Sequence, residues 1–208
     1  MRIEFVDGSF VQEVKGLPLW EPIANGDAAA IRNAYLESGV LLFRRQALSE
    51  DELLAFGNMI GAPDLYAEAW RSTLPEVNIL SNLRDQDGNM LGGLANKQLT
   101  WHTDQSYYAT PVTGCFLYGV ELPSEGGMTS WVSLFEAYET LPSELARAVD
   151  GAVGTFSFKA RVGGATDKED NHDRAKRLAE TPDVKHPLVN VAPGTGRRAL
   201  FIDPNTVT

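Results

Sequence analysis

Cysteine, histidine and positive charge are scarce in this chain, and each shortage excludes something. The single cysteine, Cys115, rules out an internal disulfide. It fits a reducing compartment, so a cytoplasmic protein is expected. Cys115 stands in the apolar run Cys115-Phe116-Leu117-Tyr118 and reads as a small buried hydrophobe. No apolar stretch approaches the roughly 20 residues of a membrane helix. The start, Met1-Arg2-Ile3-Glu4-Phe5, has no basic region followed by a long apolar segment, so no signal peptide is read. Only 18 Lys and Arg face 28 Asp and Glu, a net charge of −10. That argues against a nucleic-acid partner, which requires clustered cations, and against anionic membrane surfaces. A small anionic substrate stays open, because one local Arg or Lys outweighs the global field. Only three histidines are available for metal or proton chemistry.

What is present is ordinary for a globular protein: 43% hydrophobic and 22% charged residues. The 208 residues suffice for one sizeable domain, expected to span 1–208. Arg2 to Val6 alternates polar and apolar, as a short strand does. Asp27 is placed to cap a helix through Glu37, with Ala28, Ile31 and Tyr35 on one face and Ser38-Gly39 at its end. Val40 to Phe43 reads as a short buried strand. Ser49 with Glu52 forms a capping-box pattern opening a helix that carries Leu53, Phe56, Gly57 and Ile60 and closes near Gly61.

Further on, Val77 to Leu80, Gly114 to Leu122, Met128 to Val132 and Gly151 to Lys159 read as strands. Asp85 to Asn89 reads as a turn, and Gly92 to Gln98 as a loop. Ser133 to Thr140, Pro142 to Asp150 and Asp170 to Glu180 look helical. Leu188 to Val191 and Arg198 to Ile202 flank Pro193-Gly194-Thr195-Gly196 as a hairpin. Many strands with turns between them predict a mainly β protein with peripheral helices (α+β), an antiparallel sandwich or jelly roll.

One pair carries chemistry. Residues i and i+2 of a strand share a face, so His102 and Asp104 are expected to project together. An imidazole and a carboxylate are two members of the 2-His-1-carboxylate set that leaves coordination positions open on Fe(II). By spacing alone the signal is weak, and a surface or capping pair is the plainer reading of the two residues.

Their surroundings decide between these readings. Leu99-Thr100-Trp101-His102-Thr103-Asp104-Gln105-Ser106-Tyr107 is followed by Thr110-Pro111, Leu117-Tyr118 and Glu121-Leu122-Pro123-Ser124-Glu125-Gly126-Gly127-Met128-Thr129-Ser130-Trp131. Ala137-Tyr138-Glu139-Thr140-Leu141-Pro142, His186-Pro187-Leu188-Val189 and Gly194-Thr195-Gly196-Arg197-Arg198-Ala199-Leu200-Phe201 come next. In this order the segments closely resemble the taurine dioxygenase/TfdA-like family of Fe(II)/2-oxoglutarate-dependent dioxygenases, over nearly the whole chain.

The resemblance implies a double-stranded β-helix, or jelly roll. It implies Fe(II) held by His102 and Asp104, and 2-oxoglutarate as co-substrate with its far carboxylate bonded by Thr129. The implied reaction is hydroxylation of a C–H bond of a small-molecule substrate, using dioxygen and releasing succinate and CO2. Asp104 argues for hydroxylation over halogenation, because the related halogenases lack the carboxylate. Tyr66, Gln98, Phe158 and Phe201 fall at positions that contact substrate in the family, with loop or core packing as the plainer reading of each. Taurine enzymes place a His and an Asn near the Tyr66 and Gln98 positions, so taurine itself is not the expected substrate. A homo-oligomer is left open.

The family also uses a second iron-binding His and a 2-oxoglutarate-binding Arg, both beyond the Ala199 to Ile202 strand. Here six residues follow that strand. His172 reads as part of a solvated helix start and His186 as structural. The expectation is therefore a jelly-roll domain incomplete at the C-terminus, whose remaining His and Arg belong to a longer protein. The alternative is a non-catalytic binding protein, a truncated or degenerate jelly roll that retains a partial metal site.

Overall fold

The computed structural model describes residues 1–63, 74–93, 99–162 and 178–208. The chain divides into two compact units, Met1–Gln98 and Leu99–Thr208.

In the first unit, β1 (Arg2–Phe5) pairs antiparallel with β2 (Gln12–Lys15), and β2 pairs in parallel with the two-residue β3 (Leu41–Leu42). β1 forms where the alternation of polar and apolar residues predicts a strand, but its burial does not alternate: Phe5 is 54% exposed. β2 had no such signal, because Gln12-Glu13-Val14-Lys15 has one apolar residue; Val14 is buried while Lys15 reaches Glu4 across the pair. Helix α1 (Asn25–Ser38) begins three residues earlier than expected, with Ala24 rather than Asp27 at the N-cap and no side-chain cap. Asp27 instead lies in the first turn, where a carboxylate complements the helix dipole. Gly39 ends the helix in the left-handed conformation, φ 78°, and its N–H donates to the Tyr35 carbonyl. This is a turn that glycine adopts without a Cβ penalty. Ala28, Ile31 and Ala34 are buried, while Tyr35 is half-buried.

Helix α2 (Glu50–Ile60) has the full capping box: the Glu52 N–H donates to Ser49 Oγ, and the Ser49 N–H donates to Glu52 Oε2 at 2.8 Å. Leu19, Ile31 and Phe56 form the core of this unit, with Leu17, Leu41, Phe43 and Met59 packed on it. Val40 to Phe43 is half-buried rather than buried. Val77 to Leu80 forms no strand; only Leu80 makes a bridge, to Gly93. The Asp85 to Asn89 turn holds as read, with Asp85 Oδ1 accepting from the N–H groups of Asp87 and Asn89.

In the second unit, α3 (Leu134–Glu139) and α4 (Ser143–Val149) precede β4 (Val153–Phe156), which pairs antiparallel with β5 (Val184–Pro187). β6 (Val189–Val191) and β7 (Arg198–Leu200) form the expected hairpin. The 151–159 strand stops at Phe156, and Phe158 opens the short helix α5 (Phe158–Val162). β4 gains a second edge partner in the tail: Phe156 bridges Val207, and Thr208 N–H donates to the Thr155 carbonyl at 2.8 Å. Gly114 to Leu122 and Met128 to Val132 are not strands. Val120 is 84% exposed and Met128 90%. A strand needs a ladder partner, and among the described residues none pairs with these stretches. The three small sheets do not close into a barrel among the described residues. Residues 170–177 of the expected polar helix lie outside the described residues.

Candidate metal centre

His102 and Asp104 are not on a strand. They lie in an extended approach, Leu99 to Thr103, that enters a turn at Asp104 to Tyr107. Gln105 takes the left-handed conformation, φ 52°, and its carbonyl accepts from Tyr108 N–H at 3.1 Å. That conformation costs a non-glycine residue of order 1 kcal/mol. Gln105 Oε1 is buried and without a hydrogen-bond partner among the described residues. A turn that is locally unfavourable has to be held from elsewhere.

The chain's tail holds it. Ser106 Oγ donates to Asp203 Oδ2 at 2.7 Å and lies 2.9 Å from Thr206 Oγ1. Ser106, Asp203 and Thr206 are all fully buried. Thr103 Oγ1 donates to the Ile202 carbonyl, and Asn205 bonds both Thr100 and Trp101. Nothing in the pattern of Asp203 to Thr208 announced this role, because the contacts join positions about 100 residues apart.

The turn brings the pair together. His102 Nε2 lies 3.1 Å from Asp104 Oδ1. The opposite ring nitrogen, Nδ1, lies 2.7 Å from the Thr100 carbonyl oxygen. A carbonyl only accepts, so Nδ1 carries the hydrogen, and in the neutral ring Nε2 presents a lone pair. A protonated ring would donate from Nε2 to Asp104 across this 3.1 Å, whereas in the neutral ring two acceptor atoms face each other there, as two ligands of one cation do. Metal–N and metal–O bonds of about 2.1 Å at right angles separate neighbouring donor atoms by about 3.0 Å. The pair thus fits two adjacent positions on one divalent cation, with the His oriented by a backbone carbonyl as ligand histidines usually are. Among the described residues no third His, Cys, Asp or Glu joins it.

The other carboxylate oxygen, Asp104 Oδ2, accepts from the Cys115 thiol at 3.4 Å. Cys115 is exposed, not the buried hydrophobe expected: its neighbours Gly114, Phe116 and Leu117 are exposed too, so the apolar run does not form a buried strand. Its thiol is pushed up to about 11, first by desolvation, then by the Asp104 charge and the hydrogen bond to it. Because Cys115 is open to solvent, water relieves part of the desolvation, while the contact with the Asp104 carboxylate persists.

The remaining expected site residues are dispersed. Thr129 is exposed, after the turn at Gly126 (φ 77°) and Gly127 (φ 64°). A Cβ on Gly127 would stand 2.8 Å from Pro123 Cγ, so the Leu-Pro-x-x-Gly-Gly segment needs its second glycine. Phe158 is buried, its ring 5.0 Å from that of Tyr107, the third residue after Asp104. Phe201 is half-buried and packs on Phe156 and His186. His186 Nε2 lies 2.9 Å from the Tyr108 carbonyl and its ring contacts Phe156, a packing role. Tyr66, Gln98 and His172 lie outside the described residues.

Comparison with known proteins places this arrangement. The family described as "Taurine catabolism dioxygenase TauD, TfdA family" matches residues 4–208. An alpha-ketoglutarate-dependent 2,4-dichlorophenoxyacetate dioxygenase of Cupriavidus pinatubonensis is 28% identical, over 93% of this chain and 70% of its own length. An alkylsulfatase of Acinetobacter baylyi is 27% identical, over 97% of this chain and 62% of its own. The crystal structure of a taurine dioxygenase from Burkholderia xenovorans superposes with a TM-score of 0.72 at 26% identity, covering all of this chain and 65% of that one. The chain thus spans about two thirds of the length of these relatives. With a match from residue 4 to residue 208, the chain belongs to the TauD/TfdA family of dioxygenases.

Proposed function

We propose that the protein is an Fe(II)- and 2-oxoglutarate-dependent dioxygenase that hydroxylates a C–H bond of a small molecule, consuming dioxygen and releasing succinate and CO2. The observation that carries this reading is the pairing of His102 Nε2 with Asp104 Oδ1 at 3.1 Å, with Nδ1 anchored on Thr100. Bound Fe(II) would supply open coordination positions for the co-substrate and dioxygen. The chain's own residues do the rest of what can be assigned. His102 offers a neutral donor in a fixed tautomer. Asp104 offers a negative charge that offsets part of the cation's, with one oxygen toward His102 and the other engaged by Cys115. Thr129 donates a hydrogen bond to the far carboxylate of 2-oxoglutarate. A hydroxyl cannot neutralise that carboxylate, so this reading also requires a cation for it, and a third metal ligand from outside the described residues.

Tyr66, Gln98, Phe158 and Phe201 are proposed to line the substrate pocket. Phe158 is the best supported, because its ring lies against Tyr107 on the turn that follows Asp104. The 2,4-dichlorophenoxyacetate in one relative's name is a small organic anion, and such anions are the first compounds to screen.

The test is turnover. With Fe(II), 2-oxoglutarate and dioxygen, the protein should convert 2-oxoglutarate to succinate, and Asp104→Ala should lower the rate at least about 100-fold, the scale of losing a group on which the chemistry depends. Equal rates in the two proteins would overturn the proposal. A second reading, a non-catalytic jelly-roll binding protein with a relic metal pair, is favoured by one observation: no third ligand stands beside the pair among the described residues. It predicts metal binding without turnover.

A further inference from the structure

The residues directly before His102 are clasped by one side chain of the tail. Asn205 Oδ1 accepts from Thr100 Oγ1 at 3.0 Å, and Asn205 Nδ2 donates to the Trp101 carbonyl at 2.8 Å. Thr100 is the residue whose carbonyl takes the His102 Nδ1 hydrogen. Asn205 is itself held: its N–H donates to Asp203 Oδ1 at 2.9 Å, and its Nδ2 also reaches that oxygen at 3.3 Å. The same Asp203 accepts from Ser106 through its other oxygen, Oδ2. Asp203 and Asn205 therefore grip the ligand segment on both flanks, Thr100 and Trp101 ahead of the pair and Ser106 behind it.

We propose that Asn205 is a positioning residue for the metal ligand His102. By fixing Thr100 it fixes the carbonyl that sets the His102 tautomer, and so keeps the Nε2 lone pair directed at the cation. Second-layer partners of ligand histidines typically change metal affinity by about 10–100-fold when removed. The proposal rests on the metal-site reading above, but one of its two readouts needs no metal.

The first readout is the tautomer of His102 in the metal-free protein at neutral-to-basic pH. It is read from long-range 1H–15N correlations of the histidine rings, with His102→Gln identifying the signal among three histidines. The parent should show the hydrogen on Nδ1, and Asn205→Ala should shift it substantially toward Nε2. The second readout is the Kd for Mn(II), which should weaken about 10–100-fold in Asn205→Ala. Thr103→Val is the control. It removes the Thr103 hydroxyl bond to Ile202, which joins the same two segments without touching Thr100 or His102. It should lower thermal stability and leave the tautomer as in the parent, with a smaller loss of Mn(II) affinity than Asn205→Ala causes.

If Asn205→Ala does not fold, Asn205→Asp carries the test. It keeps the acceptor for Thr100 but turns an oxygen toward the Trp101 carbonyl and Asp203 Oδ1, where the amide had donated, so the clasp opens on that side and the changes should keep the same sign. An Asn205 variant that folds, keeps the Nδ1 hydrogen and binds Mn(II) like Thr103→Val would overturn the proposal. A tautomer that responds in a protein that binds no Mn(II) would support the positioning role and overturn the metal-site reading instead.

Discussion

His102 can serve as a metal ligand through Nε2 only in one tautomer, and Thr100 selects it. The residue types were legible in the sequence, because His102 and Asp104 sit inside a run of family segments. How they meet was not. They come together through a turn with Gln105 at φ 52°, and no side-chain pattern marks glutamine for that conformation. Cys115 was misread for a related reason: its apolar neighbours suggested burial, whereas its thiol reaches a carboxylate. With the thiol raised to about 11, its alkylation by iodoacetamide should keep rising with pH beyond 9, up to about pH 11. The Asp104 charge disfavours the thiolate, so Asp104→Asn should speed alkylation severalfold at pH 8 to 9. A parent rate that levels off near pH 9 would contradict the Asp104–Cys115 contact.

Elements were readable wherever a local signal sufficed. Ser49 and Glu52 announced α2 because a capping box is complete within four residues, and Gly39 announced the end of α1. Ser49→Ala should cost about 1 kcal/mol in denaturant unfolding of the first unit. Phe56→Ala should cost about 3–5 kcal/mol, since Phe56 is 4% exposed and packs edge-on against Phe43. Strands were less legible because every bond of a strand's ladder belongs also to another segment. β2 exists through its register with β1, not through its own composition, and the apolar 114–122 stretch joins none of the sheets among the described residues. The buried Ser106–Asp203–Thr206 group spans about 100 residues and was invisible locally. Ser106→Ala leaves Asp203 Oδ2 without its hydroxyl donor, and should cost about 1–3 kcal/mol on the transition of the second unit. No change in that transition would mean that the tail does not support the metal turn.

At the scale of the whole molecule, the composition was the least informative feature and the order of motifs the most. A net charge of −10 narrows the partners but selects no reaction. The family match from residue 4 to residue 208 does select a reaction class. No helix among the described residues is long and apolar enough to cross a membrane. The 117–132 stretch nonetheless exposes Leu117, Val120, Leu122 and Met128 at 62–90%. An apolar surface of that kind should bind a hydrophobic dye, with the signal reduced by a Val120→Lys, Met128→Lys double variant. The central claim, that His102 and Asp104 hold a catalytic iron, is tested most directly under anaerobic conditions. Adding Fe(II) and 2-oxoglutarate to the native protein should produce the weak visible charge-transfer band of the metal chelate, and His102→Ala and Asp104→Ala should each abolish it. A protein with both residues intact and no band would contradict the claim.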